Sequence, residues 1–153
     1  MNLKTILVAI ICLSVPVLAM AEVAADLRKN IILDQKRLIV VENMLFSAEE
    51  AERFWPVYKE YQEKLFEVNM QRSGLLSYYK KNYKTLDNQQ AQEIIDSMFV
   101  IVETRENLLK EFAFILETKS ILPAKKIFRY LQVEQYIFAR EQNEAMRDLP
   151  LLY

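Results

Sequence analysis

Gly74 is the only glycine in a chain of 153 residues. Tight reversals draw on Gly, Pro, Asn and Asp, so a chain this poor in glycine cannot readily supply the turns that a sheet demands. The expected fold class is therefore all-α, with long helices and few connections. The apolar periodicity outlines a long antiparallel helical hairpin with flanking N- and C-terminal helices.

Residues 1–21 read as a signal peptide rather than as part of the fold. Lys4 gives a positive start, Ile6 to Leu18 is an apolar run, and Ala19-Met20-Ala21 is a small-x-small cleavage site. Cleavage between Ala21 and Glu22 leaves 22–153 as a single helical domain and directs it to the periplasm, with no stable membrane insertion afterwards. The apolar run is shorter than the roughly 20 residues of a spanning helix. The sole cysteine, Cys12, leaves with the leader. Loss of Lys4 leaves 19 basic against 21 acidic side chains, a balance that gives no reason to expect nucleic acid as a partner.

Four helices are expected. The first covers about Ala24 to Asn43, with Leu27, Ile31, Leu38 and Val41 as its apolar set and a well-buried end at Leu38-Ile39-Val40-Val41. The second opens at Ser47, where Ser47-Ala48-Glu49-Glu50 spells a capping box, and runs to about Tyr83. Its seam is Phe54, Tyr58, Tyr61, Leu65, Val68, Arg72, Leu75 and Tyr79, with alternating steps of four and three. Pro56 removes one backbone bond near its start. The third helix follows Asp87-Asn88-Gln89-Gln90 with the seam Ala91, Ile95, Met98, Val102, Arg105, Leu109, Phe112 and Leu116. The short connection makes helices two and three antiparallel neighbours. Pro123 starts the fourth, which runs to about Met146 with Ile127, Phe128, Leu131, Ile137 and Phe138 as its contacts. The tail from Leu149 to Tyr153 is apolar and expected to dock.

Lys125, Lys126 and Arg129 stand at the positive end of the fourth helix, the unfavourable end for cations. In an antiparallel hairpin this end returns beside Glu49, Glu50 and Glu52, so the two clusters are expected to pair.

Catalytic chemistry has little to work with. The chain has no histidine, and the expected mature form has no cysteine, which removes the usual general base, the thiol nucleophile and the commonest zinc ligands. No catalytic, cofactor-binding or metal site is expected, and Asp96, Glu103 and Glu106 read as a solvated helix face. The aromatic residues of helix two have two readings. They fill the core or a homodimer interface, or part of them, centred on Phe54, Trp55, Tyr58, Tyr61 and Leu65, stays open as a protein-binding patch.

Helices two and four open alike. Phe46, Ser47 and Glu50 in one place, and Leu122, Pro123 and Lys126 in the other, set an apolar residue before a helix start and a long polar residue four positions on. This resembles the Leu-Thr-x-x-Gln repeat of the Spy and CpxP periplasmic proteins, over about Phe46 to Glu134. Phe46 stands where the repeat has Leu; Pro123 and Lys126 stand where it has Thr and Gln. Phe54-Trp55-Pro56-Val57-Tyr58 and Arg129-Tyr130-Leu131-Gln132 also resemble a group of secreted bacterial proteins of the same layout. The resemblance implies a curved, often dimeric hairpin acting as an ATP-independent chaperone or envelope-stress adaptor on unfolded or envelope proteins. It also brings two alternatives: a regulatory or structural protein binding one folded partner, and a periplasmic metal or ligand sensor.

Overall fold

The structure is a computed structural model that describes the backbone of residues 3–152 and the side chains of residue 20 and residues 22–152. The described residues form four helices and no strand: α1 (Leu3–Met44), α2 (Ala48–Asn82), α3 (Asn88–Thr118) and α4 (Ala124–Met146). The chain divides into two compact units, Met1–Leu38 and Ile39–Tyr153. The expected leader, from Lys4 through Cys12 and Pro16 to Ala19 and Ala21, lies outside the residues whose side chains are described. Among the described residues no helix is long and apolar enough to cross a membrane.

In the first unit, Val23, Leu27, Ile31 and Leu38 are exposed rather than buried. The expectation for helix one is corrected in its start, which is Leu3 rather than Ala24, and in its buried end, where Leu38 is open. In the second unit, Val40 and Met44 enter the core while Val41 is open. Val40 and Met44 are one helical turn apart, and Val41 points about 100° away from Val40.

The sequence explains why α2 starts where it does. Ser47 Oγ accepts from the Glu50 amide at 3.2 Å, and Glu50 Oε2 accepts from the Ser47 amide at 2.7 Å. The same reciprocal arrangement joins Asp87 and Gln90 at the start of α3. Each box satisfies two amides that would otherwise lack partners. Two helix exits use left-handed residues without glycine, Leu45 and Ser120, both with φ 49°. After α3 the Ile121 amide bonds the Leu116 carbonyl at 2.9 Å, which closes the helix end and turns the chain toward α4.

α2 and α3 lie antiparallel. Arg53 donates to the Lys119 carbonyl near one end, and Tyr61 stacks on Phe112 with centroids 4.5 Å apart. α4 runs in the direction of α2: Gln62 meets Glu134, Arg72 meets Gln142, and the Tyr79 hydroxyl donates to the Pro150 carbonyl at 2.7 Å. The last contact ties down the tail, although Leu151 and Leu152 remain open.

The core sits at one end of the hairpin. Phe54, Tyr58, Tyr61 and Leu65 of α2 pack with Leu109, Phe112 and Leu116 of α3, Tyr130, Val133 and Ile137 of α4, and Val40 and Met44 of α1. The α2 seam is buried as far as Val68 and half-buried at Arg72, Leu75 and Tyr79. The α3 seam holds at Arg105, Leu109, Phe112 and Leu116 and then departs from expectation. Ile95, Met98 and Val102 are exposed, while Ile101 is buried and Ile94 and Ser97 are half-buried. Going back from Leu116 the contacting steps are four, three, four, four, four and three. The extra step of four rotates the contact line by one residue and turns the expected row outward. Phe128 of α4, also expected inside, is exposed.

Candidate functional site

Among the five aromatic-patch residues, Phe54, Tyr58, Tyr61 and Leu65 are 0, 4, 4 and 1 % exposed, and Trp55 is half-buried. Phe54 lies 5.9 Å from Phe112 and 5.6 Å from Tyr130, edge to face, and Trp55 packs on Phe46, Phe54 and Tyr58. An open patch at these positions is therefore corrected: they lie where α2, α3 and α4 converge, and their apolar area is spent on one another.

The two motif copies meet. Lys126 Nζ contacts Glu50 Oε2 at 2.5 Å and donates to the Leu45 carbonyl at 3.0 Å. Arg129 Nε donates to the Asn43 carbonyl at 2.5 Å. Lys126 and Arg129, at the wrong end of α4, are thus held by the Glu50 carboxylate at the start of α2 and by the backbone carbonyls at the exit of α1. The Lys126 bond, then the Ser47 amide, hold the Glu50 carboxyl below its usual range. Phe46 packs 4.5 Å from Phe54, Leu122 is buried, and Pro123 precedes α4 with no side-chain cap. These six residues form a structural junction.

A buried polar group lies deeper. Glu134 accepts from the Tyr130 hydroxyl at 2.9 Å and from Gln62 Nε2 at 3.5 Å, with Arg105 Nη2 3.9 Å away. The Arg105 guanidinium sits 3.4 Å from the Phe138 ring centroid and 3.1 Å from Glu106. Burial, reinforced by the Glu134 charge, pushes the Tyr130 and Tyr61 phenols well above their usual range, so both stay neutral. Gln62 Oε1 and Arg105 Nε are buried without a hydrogen-bond partner among the described residues. Pattern reading placed Arg105 in the seam but gave no sign of Gln62 or Glu134, because polar residues are assigned outward by default.

In the second unit an accessible apolar surface lies on the outer side of α3. Ile95, Met98, Phe99 and Val102 recur at i, i+3, i+4 and i+7 and are all exposed, Phe99 at 71 %. Further along α3, Ala113, on the same face, and Phe114, about 100° round from it, line an open groove of about 430 Å³ with Ile127, Phe128 and Leu131 of α4. Phe114 and Phe128 are 64 % and 62 % exposed. Four such side chains in a row form a contiguous patch of the kind that marks an interaction site, whereas scattered ones do not. The i, i+3, i+4, i+7 spacing is visible in the sequence, but the four-three rhythm assigns Ile95, Met98 and Val102 to the buried seam.

Asp96 and Glu103, seven residues apart, line one flank of this row, and Lys110 and Glu117 continue that line; Glu106, seven residues after Phe99, ends the apolar row itself. Asp96 accepts from Gln92 at 2.8 Å, and neither Asp96 nor Glu103 is ion-paired among the described residues. Lys110 and Glu117 border the groove. The chain matches no protein-family model, no curated protein and no solved structure.

Proposed function

We propose that this chain is a helical binding protein of the bacterial envelope, acting on non-native or partner proteins without ATP in the manner of the Spy and CpxP type. One observation carries the reading: the uncovered apolar row of α3 beside the Phe114–Phe128 groove. The core is complete without these side chains, so their exposure is unexplained by folding and expected of a docking surface. The paired motif ends support the Spy and CpxP resemblance by giving both copies one shared task, to lock the hairpin base. The export reading rests on residues 1–21.

The test has two arms. Suppression of aggregation of a denatured model client by the purified protein should be strong at equimolar amounts and weak for Phe99→Asp. Osmotic-shock fractions should hold a chain whose first residue is Glu22. A wild type that leaves aggregation untouched across a range of salt overturns the chaperone role, and a full-length chain in the cytosol overturns the location.

A further inference from the structure

Given that α3's outer face is a binding surface, we infer that its occupant is an amphipathic helix with a basic flank. The row from Ile95 to Val102 spans about 11 Å at 1.5 Å per residue, about two helical turns, and the groove at Phe114 lies about 29 Å along α3 from Ile95, beyond Glu106 and Lys110. The row is a line of side chains on a helix whose backbone groups are already bonded internally. An extended peptide laid there would find no edge to pair with, and its own amides and carbonyls would be desolvated without partners. A helix brings its backbone bonds with it and presents only side chains. Its apolar stripe fits the row of Ile95, Met98, Phe99 and Val102 and the groove rimmed by Phe114 and Phe128.

Charge decides the flank. Asp96 and Glu103, both exposed, stand on the same side of the row, with Lys110 and then Glu117 next at the same spacing, so the flank beside the row itself is acidic. A partner with acidic residues there would meet like charge, and lysines or arginines there would be drawn in. The same flank argues against a second copy docking antiparallel through its own α3, since that two-fold contact would set these carboxylates on one side of the pair.

Three labelled peptides of equal length test this by fluorescence anisotropy: a Leu/Lys amphipathic helix, its Leu/Glu counterpart, and a scrambled Leu/Lys sequence. The Leu/Lys helix should bind about tenfold or more tighter than either control. Raising salt from about 50 to 300 mM should weaken it severalfold. Phe99→Asp and, independently, Phe128→Ser should each weaken binding about tenfold with unchanged circular dichroism. The double variant Asp96→Asn/Glu103→Gln should remove most of the salt dependence. Equal binding of the scrambled peptide, or indifference to Phe99→Asp and Phe128→Ser, overturns the inference. So does a dimer in sedimentation that Phe99→Asp dissociates, because the face then belongs to a second copy. Aggregation suppression without peptide selectivity removes the helix partner and leaves the proposed function standing; failure of both removes the face as a binding surface.

Discussion

Replacing Arg105 by Met should be among the most damaging changes to this fold. The Arg105 side chain is 5 % exposed, that of Glu134 2 %, and their nearest N and O atoms are 3.9 Å apart. Met keeps much of the aliphatic stem but withdraws the positive charge beside a buried carboxylate. Breaking such a pair from one side costs about 3–5 kcal/mol. Glu134 keeps the Tyr130 hydroxyl at 2.9 Å and the Gln62 amide, and 3.9 Å is a loose ion pair, so the lower end, about 3 kcal/mol, is expected. With a urea slope of about 2 kcal/mol/M, the midpoint should fall by about 1.5 M. Adding Glu134→Gln removes the stranded charge, and Arg105→Met/Glu134→Gln should recover about half of the loss or more. A single variant costing under about 1 kcal/mol, or a double variant no better than the single, would refute the reasoning that the two charges hold each other inside.

Two further outcomes follow from the same geometry. Gly74→Ala should raise stability by about 1 kcal/mol in thermal or urea unfolding, because Gly74 lies inside α2 and a Cβ there meets no atom within 4 Å. Glu50→Gln should cost about 0.5–1 kcal/mol near neutral pH. Because the Glu50 carboxyl is held below its usual range, its contribution is present above that range and lost as pH falls through the folded value. Wild type and Glu50→Gln should therefore converge in urea unfolding at acidic pH.

The starts of α2 and α3 were legible because their signals are local. Ser47 with Glu50 and Asp87 with Gln90 each specify a start within four residues, and the α2 seam follows from spacing alone. The meeting of Lys126 with Glu50 was also foreseeable, since antiparallel neighbours force the two ends together. The rotation of α3 was not. Ile94 and Ile95, or Ile101 and Val102, are equally apolar and differ only by a 100° turn. Met98 looks a better core residue than Ser97, yet Ser97 faces inward because α2 and α4 lie on that side. The same non-local cause hid Glu134. Tyr130 lies one turn before it in α4, but Gln62 and Arg105 arrive from α2 and α3 and leave no trace in the surrounding sequence.

The most direct measurement of the binding account is site-specific photo-crosslinking in cells. A photoreactive residue placed at Met98, Phe99 or Phe128 should capture envelope proteins, and one placed at exposed Val100, which points away from the row, should not. Capture at Val100 as strong as at Phe99, or none at all three positions, would contradict the assignment of α3's outer side as the surface on which this protein acts.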